Sequence, residues 1–172
     1  TGNTHTMFNN ILAMGIYDGL FPNGVETAGA ALASGKLTLF NAYPTNPDNW
    51  VSAFTQWNSL MGDPATHLWT DTPKSFNVIH PLSLSVGTNY VDFVVVDGFG
   101  DTVEDAMITL LMENDIIFQS GNTDENGIKT FNLNYVPDGT VSVTITKHNF
   151  KPYEGLITLY SSFSMFWFAQ IL

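Results

Sequence analysis

Two short stretches of this 172-residue chain carry oxygen donors at close spacing: Asp97, Asp101, Glu104 and Asp105 in one, and Asn122, Asp124, Glu125 and Asn126 in the other. Calcium takes about six to eight oxygen ligands, so Asp97, Asp101, Asp105 and Asp124 are the candidate ligands for a bound Ca²⁺. Neither stretch has the spacing of an EF-hand loop, and solvated acids in turns are the commoner use of such residues. His5, His67, His80 and His148 show no pair at the spacing of a helix-borne zinc site, which leaves structural or surface roles for them. Asp63 precedes Pro64, where an Asp side chain that bonds nearby backbone accounts for it without catalysis. There is no Gly-x-Ser-x-Gly elbow and no phosphate-binding glycine loop, so serine-hydrolase and nucleotide readings have no support. The chain has no cysteine, which excludes disulfides and thiolate metal sites and assigns no compartment.

Composition narrows the partners. At 44% hydrophobic and 13% aromatic, with 13 Phe, the chain is folded and long enough for one or two compact domains. Five Lys against 16 Asp and Glu give a formal charge of -11. Such a surface repels phosphate backbones and anionic lipid, which excludes nucleic acid as a partner. Eleven of the acids fall between Asp92 and Glu154, so the charge belongs to the later part. No apolar run of about 18 residues exists to span a membrane, and no signal peptide is recognisable.

The elements that would position these residues change character near Pro73. Met7, Ile11 and Met14 recur at helical spacing, with Phe8 and Leu12 widening the face, and predict a buried helix over 4–20 that stops at Phe21-Pro22-Asn23-Gly24. A second helix is expected over 25–43, with Glu26 in its first turn and Ala28, Gly29, Ala31, Leu32 and Gly35 forming a side small enough for close packing. Asp48 is the expected N-cap of a third helix whose Trp50, Val51, Phe54 and Trp57 face the core, and Gly62-Asp63-Pro64 is the expected stop. His67-Leu68-Trp69 reads as a short strand, and 74–81 as a linker between prolines.

Beyond it the period becomes two. Val91, Phe93 and Val95 alternate with other residues, as do Ile108, Leu110 and Met112, and then Val141, Val143 and Ile145. Ile116 to Phe118, Phe131 with Leu133, and a last strand over 155–160 complete the set. Turns such as Thr123-Asp124-Glu125-Asn126-Gly127 separate them. Short strands at this spacing describe a β-sandwich of roughly seven strands.

The run Gln56-Trp57-Asn58-Ser59-Leu60-Met61-Gly62-Asp63-Pro64, followed by His67-Leu68-Trp69-Thr70-Asp71-Thr72-Pro73, resembles the closing segment of the catalytic domain in gingipain-type cysteine peptidases. The small-residue helix with Gly35-Lys36-Leu37 is similar to the helix that precedes it there. Residues 82–159 resemble the immunoglobulin-like domain that follows. The resemblance implies an α+β chain. Residues 1–73 would be the helical C-terminal segment of a caspase-like α/β domain, 74–81 a linker, 82–160 an immunoglobulin-like sandwich, and 161–172 an apolar end.

It further implies an exported, extracellular or cell-surface endopeptidase whose Cys and His lie upstream, so that no catalytic residue falls on this chain and its partner is the upstream catalytic segment. Severed from its sheet, such a piece would expose Phe8, Ile11, Phe54 and Trp57. The other reading is a non-enzymatic structural subunit that pairs with copies of itself by strand addition through the apolar residues 163–172.

Overall fold

The computed structural model describes residues 5–133 and 137–161. The chain divides into two compact units between Thr72 and Pro73. Among the described residues, three α-helices occupy the first and two sheets the second, an α+β composition.

In the helical unit, α1 (Thr6–Leu20) and α2 (Ala28–Ala42) pack along a seam of small residues, and α3 (Trp50–Trp57) closes one end of their core. Gly35 needs its missing side chain: a Cβ there would sit 2.6 Å from the Leu12 carbonyl oxygen and 2.7 Å from Ile16 Cγ1. Gly15 answers it from α1, where a Cβ would meet Thr38 Oγ1 at 2.5 Å. The closeness of the seam lets Phe8, Leu12, Leu39, Val51 and Phe54 share one buried cluster.

Three boundaries differ from the sequence reading, each because a side chain or a distant carbonyl takes the role expected of a neighbour. Thr27, not Val25, precedes α2: its backbone is extended and its Oγ1 accepts the Ala30 amide. The Ala28 and Gly29 amides are satisfied by the Thr66 and Pro64 carbonyls at 3.0 and 2.9 Å. Glu26 therefore lies before the helix, and His67 makes an isolated antiparallel bridge with Thr27 in place of the expected strand. Asp48 does not cap α3. It sits in a 3-10 turn (Pro47–Asn49) with φ 47°, while Asn46 Oδ1 accepts the Ser52 amide at 3.2 Å. That helix ends at Trp57, before Gly62, because Asn58 leaves the helical conformation and its Nδ2 donates to the Phe54 carbonyl at 2.9 Å.

The second unit begins earlier than its alternation suggested. The stretch read as linker contains strand β1 (Phe76–Ile79), antiparallel to β3 (Tyr90–Asp97) with Phe76 opposite Asp97. The other strands are β2 (Ser83–Ser85), β4 (Met107–Met112), β5 (Phe118–Asn122), β6 (Ile128–Asn132), β7 (Gly139–Thr146) and β8 (Tyr153–Tyr160). One sheet has the order β1-β3-β6 and the other β2-β8-β7-β4-β5, with β2 and β8 parallel and the remaining pairs antiparallel. Period-two alternation aims Val91, Phe93, Val95 and Phe131 of the first sheet, and Ile108, Leu110, Val141, Val143, Ile145 and Ile157 of the second, into one core. Burying each of these larger side chains contributes about 1.5–3 kcal/mol before entropy is counted. Residues 163–172, read from sequence as an apolar end, lie outside the described residues.

Candidate functional site

The oxygen-rich stretches form two turns at one end of the β unit, tied together by Thr123. This buried hydroxyl donates to the Val103 carbonyl at 2.6 Å and accepts the Ala106 amide at 2.9 Å. Asp97, only 4% exposed, directs Oδ1 at the Phe99 amide (2.9 Å) and the Asp101 amide (3.2 Å), with Lys74 Nζ 3.7 Å from Oδ2. The Phe99 amide bond, above all, holds its carboxyl below the usual carboxylate range, against the opposing effect of burial.

Asp124 Oδ1 accepts the Asn126 and Ile128 amides at 2.9 and 2.8 Å, and Gly127 supplies the left-handed φ of 72° that closes this turn. Asp101 and Asp105 are exposed, Asp105 with φ 52°. Asp97 and Asp124 thus each direct a carboxylate oxygen at backbone amides of their own turn. Among the described residues no group of three or more His, Asp or Glu side chains is gathered to hold a metal ion.

The histidines are also apart. His67 Nδ1 lies 3.5 Å from Glu26 Oε2 at an exposed position. His80 is half-buried, with Nδ1 2.9 Å from the Pro81 carbonyl oxygen and Nε2 2.8 Å from the Tyr153 hydroxyl. His5 packs edge-on against Trp50. Asp63 Oδ1 accepts the Ala65 amide at 2.9 Å, a turn contact beside Pro64.

Large apolar side chains are exposed on both units, among them Ile79, Leu82, Tyr90, Phe99 and Phe118 of the β unit. Met7, Met14, Tyr17 and Phe21 recur along one side of α1 and its C-cap, and Leu37 and Phe40 along α2, all more than half exposed. Met7 and Met14 were expected inside. The buried line of α1 is instead Phe8, Leu12, Gly15 and Gly19, spaced i, i+4, i+7 and i+11. That spacing of two large and two small residues was the available signal for the seam, and it places the methionines outside. Phe8 and Phe54 are buried within the unit, their rings 5.5 Å apart, whereas Trp57 is 58% exposed.

No protein-family model and no curated protein matches the sequence. Solved structures do match, and the class they define is the gingipain-like peptidase fold. The chain superposes on the Arg-specific cysteine proteinase gingipain R (RGPB) with a TM-score of 0.65 at 16% identity, covering 87% of this chain and 33% of that one. It matches the complex of Porphyromonas gingivalis RgpB pro- and mature domains with a TM-score of 0.58 at 16% identity, over 79% of this chain and 30% of that one. A third structure, described as a protease, gives 0.61 at 18% identity, over 84% and 31%. The chain adopts a gingipain-like fold and spans about a third of the length of the structures it matches. Among the described residues no helix is long and apolar enough to cross a membrane.

Proposed function

We propose that this chain is the C-terminal portion of an exported gingipain-like cysteine endopeptidase. Its helical unit completes the core of a caspase-like catalytic domain, and its β unit is an immunoglobulin-like sandwich that braces that domain from outside. The Cys and His of the reaction belong to the upstream segment of the same enzyme, and the chain by itself cleaves no peptide. The reading places the protein outside the cell or on its surface.

The observation that carries the proposal is the exposed apolar side of α1, Met7, Met14 and Tyr17, on a helix whose buried side, Phe8 and Leu12, already packs into the core of its own unit. Helices with a second apolar side pack between two layers, and a sheet of the missing segment supplies the second. The shared length of about a third of the gingipain structures agrees with this. Strand addition between copies is less well served. Strand β2 is three residues long, β1 is bracketed by Pro73 and Pro81, and Lys129 lies over Gly121 of β5.

The test is co-expression of this chain with the segment encoded before Thr1 in the native gene, followed by casein hydrolysis. The reading expects activity from the pair and none from either half. Full activity of the upstream segment alone, or no segment able to bind this chain, would overturn it.

A further inference from the structure

On the exposed side of α1 and its C-cap, the geometry points to Tyr17 and Phe21 as the anchor by which the helical unit holds the catalytic segment; the inference rests on the reading above and deepens it. The two rings stand at i and i+4 on α1 and its C-cap, centroids 6.3 Å apart and 11° from parallel. Both are mostly exposed, Tyr17 at 63% and Phe21 at 59%. Trp57, also exposed, is engaged through its ring with Trp50 and Phe54 of its own unit.

The backbone beneath the pair is firmly tied. The Phe21 amide donates to the Tyr17 carbonyl at 3.0 Å, the Asn23 amide and side chain both donate to the Asp18 carbonyl at 3.1 and 2.8 Å, and the Val25 amide donates to the Gly19 carbonyl at 2.9 Å. Pro22 fixes φ directly after Phe21. Two aromatic rings side by side bring more contact area per ordered side chain than Met7, Met14 or Leu37. Aromatic anchors of this type dominate interfaces, while flexible neighbours around them serve to exclude water.

The occupant is the apolar face of the upstream catalytic segment, because the chain covers about a third of the structures whose fold it shares and Tyr17 and Phe21 lie on the side of α1 away from its buried line.

The probe is the separately purified segment encoded before Thr1, titrated calorimetrically against the chain and its variants, with circular dichroism confirming that each variant is folded. Tyr17→Ser and Phe21→Ser should each weaken binding at least about thirtyfold, the effect of losing a hot-spot side chain. Met7→Ser should weaken it less than about fivefold, and Tyr17→Phe should bind as the parent does. If Met7→Ser or Leu37→Ser weakens binding as much as the aromatic variants, the pair is no anchor and the functional reading stands. If the parent chain itself does not bind the segment, both fall.

Discussion

The Asp97 carboxylate accepts the Phe99 amide at 2.9 Å, and with it the Asp101 amide, so a nearly buried acid fastens a turn whose tip, Phe99, is 89% exposed. Its folded carboxyl is held below the ordinary range, chiefly by the Phe99 amide. A depressed carboxyl adds stability that is complete above its unfolded pKa and is lost as pH falls through the folded one. Asp97→Asn should therefore be less stable than the parent at neutral pH, and the gap should narrow as the medium is acidified past the carboxylate range. Urea unfolding at several pH values checks this; a gap that stays constant would show that charge on Asp97 contributes nothing.

Close approach at Gly35 makes a second prediction. Gly35→Val would drive methyl groups into the Leu12 carbonyl and Ile16, and should lower the unfolding free energy by about 1–3 kcal/mol in spite of the helix propensity it gains. Ala30→Leu, at an exposed position of the same helix, should change it by less than about 0.5 kcal/mol. Thermal unfolding of the two variants side by side is sufficient.

His80 and Tyr153 share a hydrogen bond at the edge of the β core, with the His80 ring 5.2 Å from Phe93. Tyr153→Phe leaves His80 Nε2 without that partner and should cost about 1 kcal/mol. A variant as stable as the parent would mean that water replaces the hydroxyl without loss.

Asp97 and Asp124 direct carboxylate oxygens at turn amides, and Lys74 Nζ stands at the free oxygen of Asp97. Addition of Ca²⁺ should accordingly leave the melting temperature unchanged and release no heat on titration. A rise in melting temperature that Asp101→Asn and Asp105→Asn abolish would establish a calcium site at these turns.

Much of the β unit was legible in the sequence because the signal is local: Val141, Val143 and Ile145 alternate, and all three are buried. The Thr123-to-Gly127 turn was legible for the same reason, its Asp and Gly acting within five residues. The helical unit was harder. Apolar spacing alone placed Met7 and Met14 inside, since a helix with two apolar sides has no single direction that marks its own core. The caps of α2 and α3 were hidden because Pro64, Thr66 and Asn46 act from outside the first turn. Strand β1 was masked by flanking prolines, which mark a protected edge as readily as a linker. The exposed apolar side of α1, which carries the functional reading, could not be separated from core residues by type, because Met7 and Met14 are apolar like the buried Phe8 and Leu12 and differ from them in where the helix turns them.

The most direct measurement of the central claim is the intact mass and assembly size of the native protein that contains this chain. These 172 residues should be found with an upstream Cys-containing peptidase segment in equal amount, joined covalently or as a stable complex. Homopolymers of the 18.9 kDa chain alone would contradict it and favour a structural subunit.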